Sequence, residues 1–262
     1  MVRIAVVSDV HGNLTAYRAV LDDAERRGAD VVLNLGDVAG KGPRGSACVA
    51  LTRERCALTV KGNWEVVLSE DARRLTRPGM QWWRGELTDD DRAWMRSLPL
   101  AHHLRLSGRL VRFVHASTDS PFTRIWRHHS QAEFDSFFAT TPLTGEGPAP
   151  DVVVYGDLHH AYSEVIGGRT LINCGSAGNP LDEDPQLSYL LLEGEGDDDG
   201  GGAHPAPFAY QFVRVPYDVD AEVAAARAVS MPLTEAYEVE LRTGVYRSLH
   251  AERGLRTPTV DG

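Results

Sequence analysis

Short apolar runs, each closed by a polar break, recur along the chain. Residues 2–7 are dominated by Val and Ile, which reads as a buried parallel strand, and they end at Ser8-Asp9-Val10-His11-Gly12-Asn13. Residues 30–35 end at Gly36-Asp37, and residues 56–61 end at Gly62-Asn63-Trp64-Glu65. Between the first two runs the apolar spacing changes from strand-like to helical. Leu14, Tyr17, Val20 and Leu21 share a face after Asn13, a residue type that caps helix N-termini, and Gly28 stands where a C-cap is expected. Pro43 and Gly45 lead into a shorter helix through Leu51. Three strand–helix units in succession predict parallel strands with right-handed crossovers, so Asp9, His11, Asp37 and Asn63 should meet at one sheet edge.

The second half reads differently. Residues 66–97 are polar and helix-like, with Trp82, Trp83 and Trp94 as an outer apolar layer. A homo-oligomer face built from Trp82, Trp83 and the terminal helices is the competing reading. Residues 100–106 and 110–114 predict a hairpin turning at Ser107-Gly108-Arg109, which delivers His115 to a strand end. A helix over 130–138 and a Pro/Gly/Thr-rich linker over 140–150 precede a strand at 151–155, closed by Gly156-Asp157-Leu158-His159-His160. Gly167-Gly168 predicts a hairpin joining strands 162–166 and 169–173. Residues 186–192 and 208–215 continue this antiparallel region, and the Gly- and Asp-rich stretch 193–207 between them reads as a disordered loop, since it cannot bury a core. Helices over 218–230 and 233–241 complete one α/β domain over 1–247, with 248–262 as a flexible tail.

Composition narrows the function class. The chain has 262 residues, ample for one large core, and a net charge of −10, which argues against general nucleic-acid binding because that needs clustered Lys and Arg. Its three cysteines lack a C-x-x-C spacing and suit free thiols in a reducing compartment. No apolar run approaches the roughly 18 residues of a membrane span. The chain enters a strand with no basic-then-apolar leader, so a cytoplasmic location and no membrane association are expected.

Asp9, His11, Asp37, Asn63, His115 and His159 each stand just past an apolar strand. Two divalent cations about 3.5–4 Å apart can share a carboxylate and clamp a phosphate. Mixed oxygen and imidazole donors suit Mn, Fe or Zn. The order D-x-H, G-D, G-N, a later His and G-x-x-H resembles the calcineurin-like metallophosphoesterases, and within them the small phosphoesterases of the YfcE type. The resemblance extends to about Pro216 and includes Asn173-Cys174-Gly175-Ser176, similar to an N-P-G-S turn of the family.

This resemblance implies a four-layer α/β/β/α sandwich with the metal site at the strand carboxyl ends. It implies two divalent ions, Mn or Fe ahead of Mg, Zn or Ni. Asp9, His11 and His159 would hold one ion, Asn63 and His115 the other, with Asp37 bridging, so Asp37 and Asn63 also join the catalytic machinery. A hydroxide shared by the ions would attack a small phosphodiester or phosphomonoester. A serine/threonine protein phosphatase acting on a phosphoprotein is a second reading, and a degenerate scaffold with a binding or regulatory role a third.

Two positions depart from the family pattern. Trp64 replaces the His after G-N that helps protonate the leaving oxygen, a role His128, His129 or His160 would have to fill. Asp157 replaces the first His of G-H-x-H and is expected to ligate the second ion through oxygen, with His160 as the alternative under a register slip. Lys41, Arg44, Arg124 and Arg127 are candidates to meet substrate phosphate or to form solvated basic faces.

Overall fold

Alternation within the apolar strands decides the architecture. The structure, a computed structural model, describes residues 1–70, 75–76, 78–196 and 206–255. Its strands are β1 (Val2–Val7), β2 (Val31–Asn34), β3 (Leu58–Thr59), β4 (Ala101–Leu106), β5 (Arg109–Val114), β6 (Val152–Tyr155), β7 (Ala161–Ile166), β8 (Arg169–Cys174), β9 (Leu187–Gly194) and β10 (Ala209–Val215). The helices are α1 (Leu14–Arg26), α2 (Gly45–Arg55), α3 (Asn63–Ser69), α4 (Pro78–Gly85), α5 (Asp89–Ser97), α6 (Gln131–Ser136), α7 (Val219–Ala228) and α8 (Thr234–Thr243).

One sheet runs β10-β9-β1-β2-β3 and the other β4-β5-β6-β8-β7. Ile4 and Val6 of β1 share a core with Val111 and Phe113 of β5 and with Val152 and Val154 of β6, which fills the space between the sheets. Ala5 and Val7 turn the other way, onto Tyr17, Val20 and Leu21 of α1. On the far side, Val153 and Tyr155 of β6 pack with Phe134 and Phe137 beside α6. The central strands are therefore covered on both faces, giving the expected α/β/β/α layers, and strands so buried, such as β6, need apolar side chains at every position.

The antiparallel pair near the C-terminus is placed differently from its reading in sequence. β9 and β10 do not extend the β7–β8 hairpin but join the first sheet, β9 pairing antiparallel with β1 through Ile4↔Leu192 and Val6↔Leu190. That register sends Leu190 and Leu192 into the inter-sheet core and Tyr189 and Leu191 onto the α1 side. The third strand is shorter than expected because, after the Val60 N–H bonds Asn34 O at 2.8 Å, the Lys61 N–H turns to Pro99 O at 2.7 Å. Asn13 caps α1 as expected, accepting from the Ala16 N–H at 3.0 Å.

Two further boundaries shift. Of the stretch read as a loop over 193–207, residues 193–194 belong to β9, Gly196 bridges to Leu106, and Ser107 Oγ bonds the Pro207 carbonyl at 2.6 Å. Its centre, 197–205, lies outside the described residues. The stretch read as a loose tail from 248 folds back as far as 255: His250 is buried and its Nε2 bonds Val245 O at 2.8 Å. Residues 256–262 lie outside the described residues. Trp83 is buried, and Trp82 and Trp94 pack against the same core. Among the described residues no helix is long and apolar enough to cross a membrane.

Candidate metal centre

β1, β2 and β3 run parallel, as do β5, β6 and β8, and the loops past their carboxyl ends meet. The first sheet supplies Asp9, His11, Asp37 and Asn63, and the second His115, Asp157 and His159. Backbone bonds knit the loops together: the Asp9 N–H to Gly36 O at 3.0 Å, the His11 N–H to Asp37 O at 2.8 Å and the Gly156 N–H to His115 O at 2.8 Å. Between the sheets the Ala177 N–H bonds Ser8 O at 2.8 Å, and Ser176 Oγ donates to Asp9 O at 2.7 Å. Asp9, His11, Asp37, Asp157 and His159 all hold left-handed backbone, with φ between 51° and 60°. Each costs about 1 kcal/mol or more for a residue with a Cβ, and such conformations persist where surrounding contacts over-determine them.

The side chains form two three-ligand groups, Asp9–His11–His159 and Asp9–Asp37–His115, every member buried. His159 Nε2 lies 3.3 Å from Asp9 Oδ1 and 3.1 Å from His11 Nε2. Asp9, and not the Asp37 expected to bridge, is common to the two groups, although Asp37 also lies near both, Oδ2 standing 3.6 Å from His11 Nε2 and Oδ1 3.5 Å from His115 Nε2. Asp9 Oδ1 and His115 Nε2 are fully buried and have no hydrogen-bond partner among the described residues. Buried polar atoms are almost always satisfied, so these orphans, among carboxylates and imidazoles at ligand spacing, fit divalent metal.

The surroundings hold the ligands in a metal-ready state. His115 Nδ1–H donates to Leu35 O at 2.7 Å and His159 Nδ1–H donates to Asn179 O, which leaves each Nε2 facing the centre. Glu65, wholly buried, accepts at 2.8 Å each from the N–H groups of Asp37, Val38 and Gly62. Burial and the charge of Asp37 push its carboxyl up to about 7, against the pull of those N–H bonds. Burial opposes ionisation of Asp9, yet His159 and His115 outweigh it and hold the carboxyl at about 2. Burial and the Lys41 charge keep His11 well below its ordinary value, hence neutral. His115 is raised well above its own: burial disfavours its charge, but Asp37, Asp9 and Asp157 prevail. The carboxylates thus draw a proton to His115, and a metal cation would satisfy the same negative field.

The remaining candidates separate cleanly. Asn63 Nδ2 donates to Asp157 Oδ1 at 3.0 Å, an orientation that leaves its own oxygen for a metal. Asp157 belongs to neither ligand group; Arg124 grips its carboxylate by two bonds of 2.7 Å. Lys41 reaches the centre, Nζ donating to Asn179 Oδ1 at 3.2 Å with His159 Nε2 at 3.5 Å. Burial pulls its ammonium down to about 8. Arg44 turns away to Thr15 and the buried Glu222, and Arg127 lies over the Tyr162 ring. His129 is engaged by Trp126 O at 2.9 Å and Glu164 at 3.0 Å, while His160 sits half-buried near Asp182. Neither is hydrogen-bonded to a ligand. Trp64 walls the centre edge-on to His11, ring centroids 5.5 Å apart. Asn179, which braces His159, escaped sequence reasoning, its only signal being position after an apolar strand; Ser176, which braces Asp9, was singled out only as part of the N-C-G-S turn, without this role.

Gly156 marks how tightly the loops cross. A Cβ there would overlap Ser8 Oγ and stand 2.8 Å from Asp9 Oδ2. Gly156→Ala is expected to displace the Asp9 carboxylate and weaken metal binding by about 10–100-fold, the usual effect of disturbing a ligand's support. Competition of metal-stripped protein with a chelating dye measures it.

A model of the calcineurin-like phosphoesterase superfamily domain matches residues 2–197. The uncharacterized protein MJ0912 of Methanocaldococcus jannaschii is 30% identical over 227 residues, covering 82% of this chain and 88% of that protein. A crystal structure of a metallophosphoesterase from Sphaerobacter thermophilus superposes with a TM-score of 0.69 at 26% identity, covering 93% of this chain and all (100%) of the other. Hypothetical protein PH1004 from Pyrococcus horikoshii shares the fold with a TM-score of 0.72 at 15% identity, over 94% of this chain and 100% of its own.

Proposed function

From the premise that the chain belongs to the calcineurin-like phosphoesterase superfamily, we propose that it hydrolyses a small phosphate ester, an activated phosphodiester above all, at a pair of divalent ions. At the coarser level it is a metal-dependent phosphoesterase. The observation that carries the finer reading is the pair of buried ligand groups sharing Asp9. Asp9, His11 and His159 would hold one ion; Asp37, Asn63 and His115, with Asp9, the other. The oxygen and imidazole donors suit Mn or Fe. Ions bound there supply charge neutralisation for a phosphoryl group and acidify water near neutral pH.

This chain's own residues define the rest. His11, kept neutral, offers a nitrogen lone pair without first losing a proton, and the Asn179 carbonyl turns the His159 ring so that its Nε2 faces the centre. Lys41 places a cation beside His159, where a phosphate oxygen would lie. Trp64 excludes water from the His11 side and carries no transferable proton at the position from which the family protonates the leaving oxygen. A missing general acid costs on the order of 10²–10⁴ in rate and matters least for good leaving groups.

The experiment is hydrolysis of bis(p-nitrophenyl) phosphate by metal-stripped protein with Mn, Fe, Mg, Zn or nothing restored, beside Asp37→Ala. Turnover is expected only with metal and only in the unmodified chain. Alkyl phosphodiesters should lag the p-nitrophenyl ester by about 10²–10⁴. A phosphopeptide turned over faster than any diester would favour the protein phosphatase instead, and no metal uptake at all would favour a scaffold.

A further inference from the structure

Asp157 stands where the family's pattern places an imidazole, and its surroundings are not those of a metal ligand. Both oxygens are committed. Arg124 Nε donates to Oδ2 and Nη2 to Oδ1, each at 2.7 Å, and Asn63 Nδ2 adds a third bond to Oδ1 at 3.0 Å. His115 Nε2 lies 3.8 Å from Oδ1, so Asp157 borders the second ligand group without being a member of it. The Asp157 side chain is 3% exposed, so a carboxylate and guanidinium held in a planar fork there would have to be pulled apart before Oδ1 or Oδ2 could turn to an ion. Breaking such a pair leaves a buried charge without its partner.

The cation is as well placed as the anion. Arg124 lies on the loop that begins at His115, so ligand and guanidinium share one short segment. That loop is fixed by Thr118 Oγ1 to Ser136 O at 2.8 Å and by the Asp119 N–H to Ser117 Oγ at 3.2 Å. One side of the guanidinium faces the Trp126 ring, 5.3 Å from its centroid. Yet the side chain remains 42% exposed, and among the described residues Nη1 makes no hydrogen bond. An arginine anchored by its Nε–Nη2 edge and still partly exposed keeps its other nitrogen available to a phosphate oxygen.

We propose that Asp157 is a positioning residue and not a metal ligand, fixing Arg124 at the second ion's side of the centre so that its guanidinium binds a non-bridging oxygen of the substrate phosphate. It rests on the phosphoesterase reading above. The same carboxylate, through Nδ2, directs the Asn63 oxygen inwards. The chain has thus exchanged an imidazole on the metal for a fixed cation on the substrate. Lys41 and Arg124 would then flank the phosphate from the two ends of the centre.

The test uses Asp157→Asn, Arg124→Ala and their double variant in the full chain, with Arg124→Lys as a variant that keeps the charge and loses the fork. Metal content after loading is read by mass spectrometry, inorganic phosphate affinity by calorimetry, and KM and kcat with bis(p-nitrophenyl) phosphate. Expected are unchanged metal content in every variant and a roughly 10-fold or greater rise in KM and in the phosphate dissociation constant, with kcat within a few-fold. Arg124→Lys should fall between, and the double variant should be no worse than Arg124→Ala. Loss of about one metal equivalent in Asp157→Asn, with KM and phosphate affinity unchanged in Arg124→Ala, overturns the proposal. If the unmodified chain takes up metal yet hydrolyses no phosphate ester, the reaction assignment fails, and metal content and phosphate affinity still decide between positioning and ligation.

Discussion

Asp9→Asn is expected to empty the centre of metal and lower kcat/KM by about a thousand-fold or more. Asp9 is the residue common to both ligand groups, and its Oδ1 is buried without a hydrogen-bond partner among the described residues. Held at about 2, its carboxyl is ionised at any working pH, so the wild-type centre always offers that charge. Asparagine keeps the shape and can still accept the Asp157 N–H, which Oδ2 receives at 3.0 Å, but it removes the anion. A metal contributes several kcal/mol of transition-state charge stabilisation, and about 4 kcal/mol is a factor of roughly a thousand in rate. In the metal-free protein the substitution removes an anion that His159 and His115 stabilise, so a modest loss of stability is expected beside the loss of metal. Metal analysis, kinetics and a melting curve on one preparation separate these effects. Retention of both metal and a tenth of the activity would sink the assignment.

That these side chains would converge was legible in sequence because each lies at a transition the pattern makes visible, an apolar strand ending in a polar break. Asp9, His11, Asp37, Asn63, His115 and His159 all fall at such breaks, and within each sheet parallel strands bring their carboxyl ends to one edge. What pattern cannot supply is the partner of a residue far away in sequence. β9 is equally apolar on both faces, so nothing local says that it pairs with β1 and not with the β7–β8 hairpin. Lys41 and Arg44 look alike in sequence, yet one reaches His159 while the other is drawn back to Glu222, a residue of α7 that appears as an ordinary surface glutamate. Asp157 carried the same ambiguity. A carboxylate at a ligand position can bind metal or hold a cation, and the pairing with Arg124, which arrives from another loop, is not written in the local pattern.

Glu65→Ala is expected to lower stability by about 3–5 kcal/mol, because it deprives three buried N–H groups of their acceptor at roughly 1–3 kcal/mol each. Oε2 receives the N–H groups of Asp37 and Gly62, and Oε1 that of Val38, so one side chain on α3 ties the loop after β2 to the loop after β3. Gly62 cannot widen this junction: a Cβ there would stand 2.6 Å from Asp37 N and 2.8 Å from Glu65 Oε2. The loss corresponds to a fall of about 10 °C in melting temperature for a chain of this size. Glu65→Gln separates satisfaction of these donors from mere volume. Its carbonyl oxygen can take the place of Oε2 and keep two bonds, but its NH₂ then faces the Val38 N–H, so its destabilisation should lie between wild type and Ala. Both variants loosen Asp37 and should weaken metal binding in the same order. Melting of metal-stripped protein isolates the structural part, and equal destabilisation by Gln and Ala would mean that the Asp37 and Gly62 donors find water when the carboxylate is gone.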